Sequence, residues 1–157
     1  MRFSENHGIV SVLQPGDHQA GADGDSFQLG PVYRHATIII VMEDITTAGP
    51  EVKVYSGATA GTKTTAENFH IRKSTADHAT DGADVFGAFS DSEDYSLTHG
   101  DDEDRMLVIE IDAAELTDGQ SWVTLNVDAD ADEFTACAIA ILSEPRYARN
   151  VMPTAIS

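Results

Sequence analysis

The chain has 157 residues, about one domain's worth, and one core can bury roughly two-thirds of the unfolded chain's surface. Nine basic residues stand against 27 acidic ones, which gives a net charge of −18. Such a surface repels duplex nucleic acid and anionic membranes, so both are excluded as general partners. Because salt screens self-repulsion, the charge also favours a protein from a saline habitat.

The opening residues, "MRFSENHGIVSVLQPGD", lack a basic segment followed by a long apolar core. No secretion signal is therefore expected, and no apolar run approaches the roughly 18 residues of a membrane-spanning helix. Cys137 is the single cysteine, so an intrachain disulfide cannot form. Its apolar surroundings predict a small buried side chain rather than a reactive thiol.

The first half of the chain contains two predicted strands. Residues 36–42, "ATIIIVM", are rich in β-branched side chains and predict a largely buried strand. In "EVKVYSG", period-two alternation predicts that Val52 and Val54 face the core while Lys53 and Tyr55 face outward.

The second half repeats these patterns. Residues 105–111, "RMLVIEI", predict another largely buried strand, and residues 112–119, "DAAELTDG", are the best helical candidate. In "CAIAIL", residues 137–142, the alternation of alanine with isoleucine predicts one face crowded against a neighbouring sheet or subunit. The run "SWVTLNVD" predicts a half-buried strand in which one face carries Val123, Leu125 and Val127 and the other Trp122, Thr124 and Asn126.

About eight short strands with long polar connections predict an all-β fold, an antiparallel sandwich or jelly-roll-like single domain. The core is predicted over residues 30–143, approximately. The ends are aperiodic, which predicts extended arms at the N-terminus, about residues 1–29, and at the C-terminus, about residues 144–157.

The segment "DADADE" raises the question of a cation site. An EF-hand loop needs oxygen ligands at positions 1, 3 and 5, which are Asp128, Asp130 and Asp132 here. It also needs a glycine at position 6 and a glutamate at position 12, where this chain has Glu133 and Ile139. The EF-hand is therefore excluded, and a looser cation site stays open against a solvated acidic turn.

The sequence contains no recognisable catalytic, zinc-binding or phosphate-binding motif. "HGDDED", residues 99–104, leaves the same two alternatives open as "DADADE". The six histidines are scattered, and there is no HExxH, GxSxG elbow or phosphate-binding loop. A pair of carboxylates for hydrolysis cannot be selected from 27 acidic residues. No catalytic residue, cofactor or metal is assigned, and a non-enzymatic protein is expected.

The two ends carry the candidate interface residues. Two of the six arginines fall in "PRYARNVMPTAIS", beside a tyrosine and apolar side chains. Arg and Tyr concentrate binding energy at interfaces, so this arm is interpreted as crossing to an acidic neighbour. A functionless tail is the alternative. The candidates are Arg2, Phe3, Arg146, Tyr147, Arg149, Val151 and Met152.

Four segments together carry a resemblance: "MRFSENHGIVSVLQPGD", "YRHATIIIVMED", "VIEIDAAELTDG" and "EPRYARNVMPTAIS". The chain resembles a family of small structural proteins encoded by tailed viruses of bacteria and archaea. The resemblance implies a virion component made in the host cytoplasm, most specifically a capsid decoration or cement protein on the outer capsid surface. Its implied partners are the major capsid protein or other virion subunits and further copies of itself, often as a trimer.

Three alternatives remain open. Within the same family, the chain could be a tail or head-to-tail connector subunit. A carbohydrate- or host-binding β module would need exposed aromatic side chains, for which Trp122, Tyr95 and Phe89 are the candidates. A hydrolase with a spatially assembled acidic site has no motif in its favour.

Overall fold

The computed structural model describes residues 3–46, 48–129 and 133–145, apart from the side chains of Glu5 and Ala48. These residues form one short helix and twelve strands. In chain order they are α1 (Phe3–Asn6), β1 (Gly8–Asp17), β2 (Ala22–Asp23), β3 (Phe27–Gln28), β4 (His35–Ile45), β5 (Ala48–Gly57), β6 (Thr65–Ala66), β7 (Phe69–Lys73), β8 (Ser90–Ser92), β9 (Asp94–Thr98), β10 (Met106–Asp112), β11 (Trp122–Val127) and β12 (Phe134–Ser143). Within the described residues, no helix has the length and hydrophobicity needed to span a membrane.

The strands form two antiparallel sheets. The front sheet has the order β1-β12-β4-β10-β7-β8. The back sheet has the order β2-β11-β5-β6, and in addition β3 pairs with β11 and β9 pairs with β5. The inward side chains of both sheets belong to one hydrophobic cluster. The prediction of an all-β antiparallel sandwich is confirmed.

Period-two alternation positions the core. Val52 and Val54 are fully buried in β5, while Lys53 and Tyr55 are only partly buried, as the sequence predicts. On β4 of the front sheet, Ile38 is one of several fully buried side chains. Each such aliphatic side chain contributes roughly 1.5–3 kcal/mol of transfer free energy when it leaves water.

Four strands are not predicted from the sequence because they have only two or three residues. Alternation needs about four residues to be recognised, so β2, β3, β6 and β8 carry no periodic signal. The expected number of about eight strands was therefore too low.

The predicted N-terminal arm over residues 1–29 is wrong from residue 8 onward. Strand β1 pairs with β12 from Gly8 to Asp17, and Val10, Val12 and Leu13 are buried. Two register shifts interrupt this pairing, so inward side chains do not follow strict alternation. Beyond Pro145, the predicted C-terminal arm lies outside the described residues.

The strand predictions need two corrections. The run 36–42 alternates instead of being buried on both faces: Ile38 and Ile40 are fully buried, whereas Val41 is 43% exposed. Strand β11 carries buried side chains on both faces, since Thr124 and Asn126 are only 2% and 6% exposed. The segment that contains β2 and β3 supplies hydrogen-bond partners for these two polar side chains. There the hydroxyls of Thr124 and Ser26 share a hydrogen bond of 2.8 Å.

The predicted helix over residues 112–119 is a series of turns. The Asp112 N–H donates to Glu115 Oε2 at 2.7 Å, which is a bond typical of a helix start. The Thr117 N–H, however, donates to Glu67 Oε1 at 2.8 Å, and this bond ties the segment to the sandwich. A contact distant in sequence thus replaces the next helical turn.

Candidate interaction surface

The outward side of the front sheet carries a continuous group of apolar side chains, here named the outer apolar face. It extends over β1, β12, β4 and β10. Cross-strand pairs connect its members, for example Ile139 with Ile39 and Cys137 with Val41. The members are Ile9, Ile39, Val41, Met106, Val108, Cys137, Ile139 and Ile141.

Much of this face is open to solvent. Ile9 is 56% exposed, Val41 43% and Ile139 42%. Among the described residues, six large apolar side chains are exposed, and these three are half of them. Four strands and three rows of side chains cover roughly 400 Å², part of which belongs to the polar Ser11, Thr37 and Glu110. This is the size of the largest apolar patch on many soluble monomers, and such a patch is often functional.

Polar side chains border the face toward β7. Glu110 lies opposite His70, and Arg72 lies opposite Val108. His70 hydrogen-bonds Asp91 Oδ1 at 2.6 Å and Glu115 Oε1 at 3.0 Å. The bond to Asp91, followed by the bond to Glu115, raises the pKa of His70 above its usual value.

Arg72 is held in place by two aromatic rings. Its guanidinium carbon lies 4.4 Å from the centre of the Phe89 ring and 5.2 Å from that of Phe86. Cation–π attraction fixes the charged group at the β7 side of the outer apolar face, where Val108 on the neighbouring strand is only 5% exposed. Val41 and Ile139, which lie farther from β7, stay accessible.

A groove of about 420 Å³ continues the face beyond Val41 and Cys137. Pro15, Thr135 and His78 also line it. The prediction of a buried Cys137 is wrong, since its side chain is only partly buried. The alanines of β12 occupy the inward positions, so Cys137 faces outward with the two isoleucines.

The sequence of β12 contains a signal for this face. Alanine and isoleucine alternate along β12, and the structure places the alanines against the core: Ala138 and Ala140 are 1% and 0% exposed. The expected crowding of one face against a neighbouring sheet is thus found on the alanine side. The larger isoleucines point to solvent, which is the reverse of ordinary surface composition.

The terminal candidates are only partly described. Phe3 is 55% exposed, and its ring stacks on His7 with centres 4.1 Å apart. Arg2, Arg146, Tyr147, Arg149, Val151 and Met152 lie outside the described residues. The five C-terminal candidates follow β12 along the chain, and at the end of this strand Ser143 pairs with His35.

The "DADADE" segment is described at its two ends. Asp128 Oδ2 lies 2.7 Å from Lys53 Nζ, which is also 2.7 Å from Glu51 Oε2. The bonds to Asp128 and then Glu51 raise the pKa of Lys53. Asp128 therefore has a cationic partner already, while Asp130 and Asp132 lie outside the described residues. Among the residues that the structure describes, no group of three or more His, Cys, Asp or Glu side chains is arranged to hold a metal ion.

The hypothesis that "HGDDED" is a solvated acidic turn is wrong for one of its carboxylates. Asp102 is 1% exposed. Its carboxylate accepts hydrogen bonds from Lys73 Nζ at 2.9 Å, the Tyr95 hydroxyl at 3.0 Å and the Thr98 N–H at 2.9 Å. Burial, followed by the Asp102 charge, raises the pKa of Tyr95. This carboxylate anchors the turn from within.

The aromatic candidates for carbohydrate binding do not come together. Tyr95 lies opposite Val52 and Trp122 opposite Gly57 on β5. Five residues of strand separate these positions by about 17 Å. Phe89 packs on Arg72 beside the front sheet. No shared sugar-binding platform is formed by these three side chains.

Fold and surface define this chain as an antiparallel β-sandwich with one exposed apolar sheet face. A scan against protein-family models finds no match, and neither does a search of the curated proteins. Among solved structures, the chain is similar to a crystal structure described as the SPBc2 prophage-derived protein YomS. The identity is 16% and the TM-score 0.46, over 87% of this chain and 93% of that chain. At these values nothing about function follows from the likeness.

Proposed function

We propose that this chain is a non-enzymatic structural subunit of a virion. Its most specific role is that of a capsid decoration or cement protein, which binds the outer surface of the major capsid lattice and stabilises it. The observation that carries the proposal is the outer apolar face, an exposed sheet face on a body with a net charge of −18. A protein held in a lattice needs such a face, because burial of apolar surface drives association.

The net charge favours a position outside the shell. Packaged DNA carries one negative charge per about 1.7 Å of helix axis. A subunit with 27 acidic residues placed on the inner surface would face that charge directly. On the outer surface the same carboxylates face solvent.

The C-terminal segment supplies the second element of the proposal. Residues 146–157 contain Arg146 and Arg149 and no acidic side chain. Opposite charge steers such a segment toward an acidic neighbour and fixes its register there. We assign the bridging contact to this segment and the larger contact area to the outer apolar face.

Purified virions of the virus that encodes the chain provide the test. Mass spectrometry should find the chain in intact particles, with a copy number comparable to that of the major capsid subunit. A much lower copy number would favour the connector alternative. Absence from intact particles would overturn the proposal.

Variants then test the surface. Particles made without the chain should take up the added wild-type protein, and Ile139→Glu should reduce uptake because it places a carboxylate on the outer apolar face. Val85→Glu is the matched control, since Val85 is 54% exposed but lies outside the face. Deletion of residues 144–157 should abolish incorporation, and undiminished incorporation would contradict the role of the segment.

A further inference from the structure

We infer that the outer apolar face receives residues 146–157 of a second copy of this chain. The inference rests on the proposed function, in which this segment crosses to a neighbour, and it identifies the surface that the segment meets. The three side chains that are most exposed on the face, Ile9, Val41 and Ile139, need apolar partners. Two arginines and no acidic side chain make the segment suited to an acidic body.

Charge favours the segment over the body of the second copy. Two bodies that each carry a net charge of −18 repel one another when their sheets meet face to face. The face also covers only roughly 400 Å². A stable interface buries about 800 Å² per partner, so the flat face alone is too small.

The composition of the segment matches the face and its border. Arg146 and Arg149 come first along the chain, and the apolar Val151, Met152 and Ile156 follow. The arginines can pair with border carboxylates such as Glu110, which lies on the same side of β10 as Val108. The apolar residues then cover the isoleucines and the groove.

The segment is longer than the face that it would cover. Ser143 lies six residues from Cys137 on β12, which corresponds to about 20 Å. The twelve residues 146–157 span up to about 40 Å when extended. They can therefore bridge to a neighbour and still cover the length of its face.

A return to the same subunit is less favourable. Such a return uses part of the segment to reverse the chain and lift it by about 10 Å, which is the spacing of stacked β layers. Fewer residues are then left to cover the face. A mutual exchange needs no such reversal, and each copy then donates one segment and receives one in a closed two-fold contact.

The native cysteine makes a direct test possible, because Cys137 lies on the receiving face. The donor protein carries Cys137→Ser and Met152→Cys, and the receiver is the wild-type chain with a tag that changes its size. The two proteins are mixed and oxidised, and non-reducing electrophoresis separates the products. We expect a disulfide-linked dimer of one donor and one receiver, also with Val151→Cys or Ile156→Cys as the donor site.

Matched receivers control for random collision. A receiver with Cys137→Ser and Val85→Cys presents an exposed thiol outside the face and should give no mixed dimer above background. A receiver with Ile139→Glu should give about tenfold less, because a carboxylate would be buried without a partner. The Val85→Glu receiver should react like wild type.

Other products would overturn the inference. A receiver–receiver dimer through Cys137 would show face-to-face packing, and a donor–donor dimer would show that segments contact each other. A Met152→Cys protein that keeps Cys137 and forms only an intramolecular disulfide would show that the segment covers its own subunit. No mixed dimer from any donor site would exclude the contact.

The virion role and the exchange of the C-terminal segment can be disproved independently. A mixed dimer from a chain that is absent from virions would keep the exchange and remove the virion role. A chain abundant in virions that gives no mixed dimer would keep the virion role and remove the exchange.

Discussion

At the scale of single residues, Asp102 shows how one buried carboxylate organises a turn. It is 1% exposed and accepts hydrogen bonds from a lysine, a tyrosine hydroxyl and a backbone N–H. Burying a charge is costly unless it is paired and fully hydrogen-bonded, and three donors meet that requirement. The neighbouring Asp101 is exposed, so adjacent carboxylates have opposite roles.

Asp102→Ala should lower the free energy of unfolding by about 2 kcal/mol, because it leaves the Tyr95 hydroxyl and the Thr98 N–H without an acceptor. Urea denaturation followed by fluorescence or circular dichroism measures this loss. Asp101→Ala is the control and should change stability little. Equal effects of the two substitutions would show that Asp102 has no special structural role.

His70 should make stability depend on pH. Its pKa is raised in the folded protein by Asp91 and then by Glu115. His70 therefore binds its proton more tightly in the folded state than in the unfolded state. Its contribution is complete below the unfolded pKa of about 6.5 and is lost as pH rises through the higher folded value.

The comparison of wild type with His70→Gln isolates this contribution. The wild-type advantage should be roughly 0.5 kcal/mol at acidic pH, since exposed pairs contribute little, and should vanish at alkaline pH. Urea denaturation at a series of pH values measures it. Asp91→Asn removes the first partner and should remove much of the difference. Parallel pH profiles for wild type and His70→Gln would contradict the assignment.

At the scale of elements, the middle of β12 separates packing from interaction by residue size. Its inward positions there carry the small Ala138 and Ala140, while Phe134 and Leu142 fill the core at the two ends of the strand. Its outward positions carry Cys137, Ile139 and Ile141. One strand therefore supports the core with one face and presents the candidate interaction surface with the other.

Ala140→Leu should lower the free energy of unfolding by about 2 kcal/mol, because a fully packed position cannot take three more carbons without strain. Ile139→Leu conserves volume at a position that is 42% exposed and should have almost no effect. Chemical denaturation midpoints compare the two. A larger loss for Ile139→Leu would mean that the inward and outward faces are exchanged.

At the scale of the whole molecule, net charge governs the response to salt. The net charge of −18 opposes compaction at low ionic strength. The screening length falls from about 10 Å at 0.1 M salt to about 3 Å at 1 M. The melting temperature should therefore rise as potassium chloride increases.

A variant with fewer carboxylates tests whether charge causes this rise. Asp81→Asn, Asp84→Asn and Glu93→Gln together neutralise three exposed acidic side chains. The combined variant should melt higher than wild type at low salt and gain less from added salt. Calorimetry across the salt series measures both. Absence of any gain for wild type would remove the hypothesis of a saline habitat.

Sequence alone was sufficient for the fold class and for the faces of the most regular strand. Val52 and Val54 face the core because alternation is a local property of an extended chain, and β-branched side chains favour it. The same reasoning predicted that one face of β12 is crowded. Short strands and bulged pairings carry too few alternating positions, which is why β1 was mistaken for part of an arm.

The tertiary structure alone decided which apolar positions stay uncovered. The sequence of "ATIIIVM" has isoleucine on both faces and differs only by one threonine, so the position of the back sheet determines that Ile38 and Ile40 are covered and Val41 is not. Burial of Asp102 depends likewise on partners from other strands, among them Lys73 and Tyr95. Alternation of side chains is set by neighbours along the chain, whereas the burial of a strand face is set by contacts between residues that are far apart in the sequence.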